Sequence, residues 1–364
     1  MMTGRTRLLW TMFLLTLAGG QALAAAAPQT DDAAPQQTAA APYKADSGPY
    51  EVAVETFDWR DADRDRLVPA KVYYPHGGEG PWPVVIVSHG LGGSRDGLSY
   101  LGRHWASHGY VSVHLQHLGS DTAVWKGKAN PMQAMREAVA DVSNAIARPA
   151  DVSFAIDRVT KMQKGDGPLA GRLDVEHIGM AGHSFGASTT LAVAGQVFAG
   201  RRPLFRDTRV KAAIPMSAPA AKPWQRDRAY RHIRIPLLHM TGTLDDSPVS
   251  GAKAAQRRIP FDRIDGAPQY LVTLEGGDHM AFADRRWGTI AQQPGSGGDP
   301  SKDARFHDLI RQATTAFWDA YLKGDGAARR WLAEGGFKAA LGDDGVFEQK
   351  RPSNGSDTAL RQAG

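Results

Sequence analysis

The sequence predicts an α/β fold, a mostly parallel sheet with helices on both faces. Three observations predict it. Apolar strand patterns alternate with helical ones from about residue 50 to residue 322. The central strands are continuous β-branched runs without polar alternation, as strands covered on both faces require. The features with chemical character all fall where those strands end, which is where open sheets of this class bind ligands.

The elements follow in order. Tyr50 to Phe57 and Leu67 to Tyr74 read as a hairpin with the charged segment Asp61 to Arg66 as its turn, and Pro83 to Ser88 reads as a buried strand. Leu98 to His108 has helical spacing and stops at Gly109; Tyr110 to His117 is a second buried strand. Ala134 to Met162 is helical, with an interruption expected at Pro149. His177 to Gly182 is a third buried strand, followed by a small-residue helix from Ala187 to about Phe198. Val210 to Met216, Pro236 to Thr241 and Tyr270 to Leu274 are further strands, and Ala304 to Leu322 is an amphipathic helix. Few residues separate the strands ending near Ala218 and beginning near Ile235, so no large lid is expected and the cleft should be open.

The ends of the chain read differently. Arg5 and Arg7 precede an apolar run, Leu8 to Ala18, and the small-residue site Ala22-Leu23-Ala24. This is the pattern of a signal peptide over residues 1–24, too short to span a bilayer comfortably. Residues 25–48 are rich in Ala, Pro, Gln, Thr and Asp and read as a disordered tether. A catalytic domain is expected over 49–345 and a flexible tail over 346–364. Localisation is then periplasmic or secreted, with no stable membrane span after signal cleavage.

The chain of 364 residues carries a formal net charge of +5 and no dense basic block, so nucleic-acid binding is not expected. It has no cysteine, which excludes disulfides, a thiolate nucleophile and Cys-based metal sites. His104 and His108 have i, i+4 spacing, and His114 and His117 lie near a strand end. No HExxH motif or carboxylate cluster accompanies them, so no metal is expected.

Gly182-His183-Ser184-Phe185-Gly186 fits G-x-S-x-G between a strand and a helix. The chain reverses so sharply there that the two glycines must leave space, and the turn lifts the Ser184 hydroxyl clear of the sheet at a helix N-terminus, where negative charge is favoured. A serine nucleophile needs a base, and the base needs a carboxylate to fix its tautomer. After an elbow of this kind the order is Ser, then Asp or Glu, then His. His239 lies inside a strand, His232 precedes it and His307 lies in the final helix. His279 hangs in the Gly-rich loop Glu275-Gly276-Gly277-Asp278-His279-Met280 and is the expected base. The acid is expected in Gly242-Thr243-Leu244-Asp245-Asp246, with Asp245 preferred over Asp246; Glu275 is a reserve, and Asp278 a local turn residue. The oxyanion donors are assigned to the N–H of Phe185 and to Leu91 in Ser88-His89-Gly90-Leu91-Gly92-Gly93. Trp125 and Trp224 are candidate walls of the cleft.

The segments Val87-Ser88-His89-Gly90-Leu91-Gly92-Gly93, Trp105-Ala106-Ser107-His108-Gly109-Tyr110 and Gly182-His183-Ser184-Phe185-Gly186 resemble the platelet-activating-factor acetylhydrolase and PET-hydrolase-like branch of the α/β hydrolases, over roughly residues 50 to 325. Bacterial proteins of this type are often labelled dienelactone-hydrolase-like. The resemblance implies the α/β-hydrolase fold with an eight-stranded sheet, a Ser–His–Asp triad, no cofactor, and carboxylic ester substrates, small or lipid-like. It also supports Leu91 and Phe185 as oxyanion donors. In the acetylhydrolase the acid ends an earlier strand, but here that region reads Ile214-Pro215-Met216-Ser217-Ala218 without a carboxylate. The acid therefore falls at Asp245 or Asp246, as in the PET-hydrolase-like enzymes. Those often carry Trp where this chain has His183. The expected activity is that of an exported serine esterase working through an acyl-enzyme. An acyltransferase and a catalytically silent binding protein are the alternatives on the same fold.

Overall fold

Two long strands, β1 (Glu51–Asp61) and β2 (Arg66–His76), pair antiparallel around a turn at residues 62–65 and form one edge of the sheet. The computed structural model describes residues 43–247, 249–283 and 297–352. Next come β3 (Trp82–Ser88), α1 (Ser99–Ser107), β4 (Val111–Leu115), α2 (Pro131–Ala140) and α3 (Val142–Gln163). Then follow β5 (Leu173–His183), α4 (Phe185–Ala194), β6 (Val210–Met216), the single turn α5 (Arg226–Ala229) and β7 (Leu237–Leu244). The last elements are α6 (Ile259–Arg263), β8 (Gln269–Asp278), α7 (Asp303–Tyr321), α8 (Gly326–Ala333), α9 (Gly336–Leu341) and β9 (Gly345–Lys350). The strands form one sheet in the order β1-β2-β4-β3-β5-β6-β7-β8-β9, parallel from β4 through β8 and antiparallel at both edges.

Side chains alternate across the sheet, so each buried strand feeds two cores. Val85 and Val87 of β3 point to the face covered by α1 and α7, where Trp105 and Trp318 meet edge to face at 5.9 Å. Val84 and Ile86 join Val152, Ile156 and Val159 of α3 on the other face. This double burial explains why these strands read as uninterrupted apolar runs. Gly179 of β5 lets the Trp318 ring lie against the backbone: a Cβ there would sit 2.8 Å from it.

Five expectations are corrected. Among the described residues the sheet has nine strands, not eight, because β9 pairs with β8 and stacks Phe347 on Tyr270 at 5.9 Å. Residues 345–350 therefore belong to the sheet and not to a tail starting at 346. The tether expected over 25–48 is docked at its end: the Tyr43 hydroxyl donates to Asp319 at 2.9 Å, the Tyr43 ring packs on Trp331, and the Gly48 N–H donates to Ser107 at 2.9 Å. The long helix breaks at Asp141, not at Pro149. Asp141 has an extended backbone, and its carboxylate caps the Ser143 N–H at 2.8 Å, whereas α3 runs through Pro149 with its apolar face held on the sheet. Finally, the small-residue helix stops at Ala194, with Gly195 at φ 120° as its terminator. The proposed signal segment lies outside the described residues. No helix among the described residues is long and apolar enough to cross a membrane.

The sheet and its flanks bury several imidazoles. Burial pushes His114, His117 and His239 down to about 4, and His104 and His183 to about 3. Between these values and the unfolded value near 6.5 the unfolded chain binds protons that the folded chain does not, so stability must fall as pH drops through that window. One such proton gives a slope of about 1.4 kcal/mol per pH unit. With five groups the unfolding free energy from urea titrations should fall by more than that per unit between pH 6.5 and 5. A flat profile there would show these histidines to be protonated in the folded state.

Candidate active site

β5 delivers Ser184 at its carboxyl end. Ser184 has φ 57° and ψ −113°, a conformation that non-glycine residues adopt at a cost of about 1–3 kcal/mol. Its N–H donates to the Met216 carbonyl at 2.9 Å, which ties the turn to β6. The glycines on either side have steric reasons. A Cβ on Gly186 would lie 1.9 Å from the Ser88 carbonyl oxygen, and one on Gly182 would lie 2.4 Å from the Gly186 carbonyl oxygen.

β8 ends at Asp278 and leaves His279 at its tip. The His279 Nε2 lies 2.9 Å from the Ser184 Oγ, and its Nδ1 lies 2.7 Å from the Asp245 Oδ1. Asp245 follows β7 and is fully buried; its other oxygen accepts from the Thr241 hydroxyl at 2.8 Å. Burial would raise the Asp245 carboxyl, but the His279 hydrogen bond and the charges of His279 and Arg257 bring it below the usual carboxylate range. Asp246 turns away to the surface, where it binds the Lys253 ammonium and the Ala254 N–H, both at 2.8 Å. Asp278 accepts the Met280 N–H at 2.9 Å as a local turn residue, and Glu275 meets Thr243 at the surface.

The other histidines are engaged elsewhere. His239 pairs with Gln269 at 2.8 Å inside the sheet, His232 with the Arg201 carbonyl, and His307 stacks on Tyr100. His104 and His108 contact each other edge to face, and His114 binds Ser112 and the Gly97 carbonyl. Among the described residues no three His, Asp or Glu side chains converge as metal ligands.

The loop after β3 packs against the elbow: a Cβ on Gly90 would lie 3.5 Å from the Ser184 Cβ. Leu91 follows in that loop, and Phe185 is the first residue of α4. A helix leaves its first N–H groups without intrahelical partners, and neither the Leu91 nor the Phe185 N–H makes a backbone hydrogen bond among the described residues. Trp125 borders this loop by donating to the Gly92 carbonyl at 2.8 Å; Trp224 stands 70% exposed with Arg228 over its ring.

Three residues around Ser184, His279 and Asp245 have no role assigned to them by the sequence. Arg257 is buried beside Asp245 and His279, with Nη2 at 3.5 Å from the Asp245 Oδ1 and 3.3 Å from the His279 Nδ1; it also holds the Ser217 carbonyl at 2.8 Å. His183 donates from Nε2 to the His279 carbonyl at 2.8 Å and so fixes the tip of β8. Arg148 is buried beneath the loop after β3, with its guanidinium 4.5 Å from the centre of the Phe185 ring. Nothing local marks Arg148 or Arg257, which read as ordinary polar residues of a helix and a loop; His183 stands inside the G-x-S-x-G motif, but its bond to the His279 carbonyl is a long-range contact that the motif does not show.

A family model described as PET hydrolase-like matches residues 24–293. Among similar proteins, the cutinase est1 of Thermobifida alba is 28% identical over 180 residues, 49% of this chain and 48% of that protein. The cutinase est2 of the same organism is 27% identical over 212 residues, 58% of this chain and 56% of that protein. The platelet-activating factor acetylhydrolase of Cavia porcellus is 24% identical over 301 residues, 74% of this chain and 64% of that protein. The chain thus spans between 48% and 64% of the length of these three relatives.

Proposed function

Because this chain belongs to the PET hydrolase-like family, we propose that it is an exported serine hydrolase of carboxylic esters, working through an acyl-enzyme on Ser184. One observation carries the reading: the unbroken hydrogen-bonded series Ser184–His279–Asp245, at 2.9 and 2.7 Å, at the carboxyl ends of three parallel strands. The names of the similar proteins, cutinases and an acetylhydrolase, agree with ester hydrolysis.

His279 donates its Nδ1 proton to the buried Asp245 carboxylate, which leaves Nε2 as an acceptor. It takes the Ser184 hydroxyl proton as the Oγ attacks the ester carbonyl. The N–H groups of Leu91 and Phe185 receive the negative charge that forms on the carbonyl oxygen. His279 then gives the proton to the departing alcohol, and the acyl group stays on Ser184. Water enters, loses a proton to the same Nε2 and attacks the acyl carbon; the acid leaves as His279 returns that proton to the Ser184 Oγ. In this reading residues 1–24 direct export, and the catalytic unit begins near Tyr43 and ends with β9.

The test is turnover of p-nitrophenyl esters of graded acyl length, with and without an added alcohol. Release of free acid at every length accepted is expected, and the length profile reports the depth of the pocket. Predominant transfer to the alcohol would make the protein an acyltransferase, and no turnover by folded protein would overturn the esterase reading.

A further inference from the structure

Beneath the proposed oxyanion hole lies a buried polar network whose centre is Arg148. All of its partners are neutral. Its Nε donates to the Thr189 hydroxyl at 3.0 Å, its Nη1 to the Ser120 hydroxyl at 2.8 Å, and its Nη2 to the Ser88 hydroxyl at 2.9 Å and to the His89 carbonyl. No carboxylate lies within ion-pair distance of it among the described residues. Asp151, one turn along α3, is instead occupied by Arg64 and Arg66 at 2.8 Å and by His117 at 2.9 Å. Burial presses the Arg148 guanidinium down to about 9, which leaves it cationic at neutral pH. Asp151 supports this cation through space and Arg66 opposes it; a buried guanidinium with no direct carboxylate partner is costly, and its five donors form a rigid fork that can hold several acceptors at once.

The proton assignments in the network are mutually consistent. His117 donates Nδ1–H to Asp151, so its Nε2 accepts from the Ser88 hydroxyl at 2.9 Å, and the Ser88 oxygen is free to accept from Arg148. The His117 N–H donates to the His89 Nε2 at 3.0 Å, so the His89 Nδ1 carries its proton and donates to the Gly90 carbonyl at 2.6 Å. That carbonyl shares a planar trans peptide with the Leu91 N–H, and fixing one fixes the other in the opposite direction. Arg148 likewise fixes the preceding peptide through the His89 carbonyl. It reaches the same loop a second way, because the Ser120 carbonyl accepts the Gly92 N–H at 2.8 Å. On the other side its central carbon lies 4.5 Å from the centre of the Phe185 ring, and Thr189, which accepts its Nε–H, donates to the Phe185 carbonyl at 3.1 Å.

One guanidinium therefore holds both halves of the hole: the loop that carries the Leu91 N–H and the helix start that carries the Phe185 N–H. We propose that Arg148 is the positioning residue of the oxyanion hole, setting the two donors in register with its guanidinium beneath the place where the oxyanion forms. This rests on the esterase reading above. A group of this kind acts on the transition state and not on the neutral ester, so it should affect kcat and leave KM nearly unchanged.

The experiment compares wild type, Arg148→Met and Arg148→Lys for kcat and KM on a p-nitrophenyl ester. It also compares their affinity for an alkylboronic acid, whose tetrahedral anionic adduct on serine places an oxygen in the hole. All values are normalised to the folded fraction at the assay temperature. Arg148→Met should lose roughly 10- to 100-fold in kcat and a similar factor in boronate affinity, with KM within about twofold. Arg148→Lys, which keeps the charge but not the fork, should recover part of both. Unchanged kcat and boronate affinity in Arg148→Met, or a loss seen in KM alone, would overturn the role. If Arg148→Met does not fold, Arg148→Lys decides: a paired loss in kcat and boronate affinity supports the role, and wild-type values overturn it. A wild type that neither hydrolyses esters nor binds the boronate overturns the esterase reading and this role together. A wild type that does both beside an unaffected Arg148→Met overturns the role alone.

Discussion

Replacing Ser184 with alanine should lower ester hydrolysis by roughly 10⁴- to 10⁶-fold while the protein stays folded. The loss is large because in the proposed mechanism the Ser184 hydroxyl is the group that becomes acylated, and it lies 2.9 Å from the His279 Nε2 that activates it. The fold should survive because the change removes one hydrogen bond at a partly exposed position, which is worth about 1 kcal/mol. The backbone strain at φ 57° persists, because alanine keeps the Cβ that makes it costly. Two measurements check this: the rate on a p-nitrophenyl ester, and the mass of the protein after exposure to a fluorophosphonate. Wild type should gain one adduct and the variant none. A variant that keeps more than about a hundredth of the rate, or still takes the adduct, would place the nucleophile elsewhere.

The elbow was legible because its evidence is local. Gly182 and Gly186 announce a chain reversal too tight for side chains, and the clashes of 2.4 and 1.9 Å that a Cβ would make there are the physical content of that pattern. His279 was legible for a similar reason, as the first side chain after a Gly-rich strand end. The preference for Asp245 over its neighbour came from spacing after Gly242, and the difference between them is one of burial: Asp245 is fully buried and Asp246 is exposed. Arg148 and Arg257 were not legible. Each is a charged residue among charged or small neighbours, and its meaning lies in contacts across 60 and 22 positions of the chain. β9 was missed because Val346 and Phe347 are its apolar residues, and its place is set by pairing with β8. The helices α8 and α9 were missed because both are short, and an Asp325 cap on the Ala327 and Ala328 N–H groups defines the start of α8 more than any periodicity does.

Asp245→Asn should lower turnover by roughly 10³- to 10⁴-fold, and Asp246→Asn should leave it within about threefold. Asp245 receives the Nδ1 proton of His279 at 2.7 Å. An amide in its place can turn its NH₂ toward the imidazole, which moves the ring proton to Nε2 and removes the acceptor that Ser184 needs. Unlike Ser184→Ala, this change should also destabilise the fold, because Arg257 sits 3.5 Å away and is almost fully buried. Removing one partner of such a pair leaves an uncompensated buried charge, at a cost of about 3–5 kcal/mol. Asp246 pairs with Lys253 at the surface, where such a bond contributes little. The two variants thus separate in both rate and melting temperature, and Ser184→Ala separates from Asp245→Asn by its larger loss of rate and its unchanged melting temperature. If Asp246→Asn were the variant that lost activity, with Asp245→Asn active and stable, the acid would have been assigned to the wrong one of two adjacent carboxylates, and the burial and charge of Arg257 would need a role outside the triad.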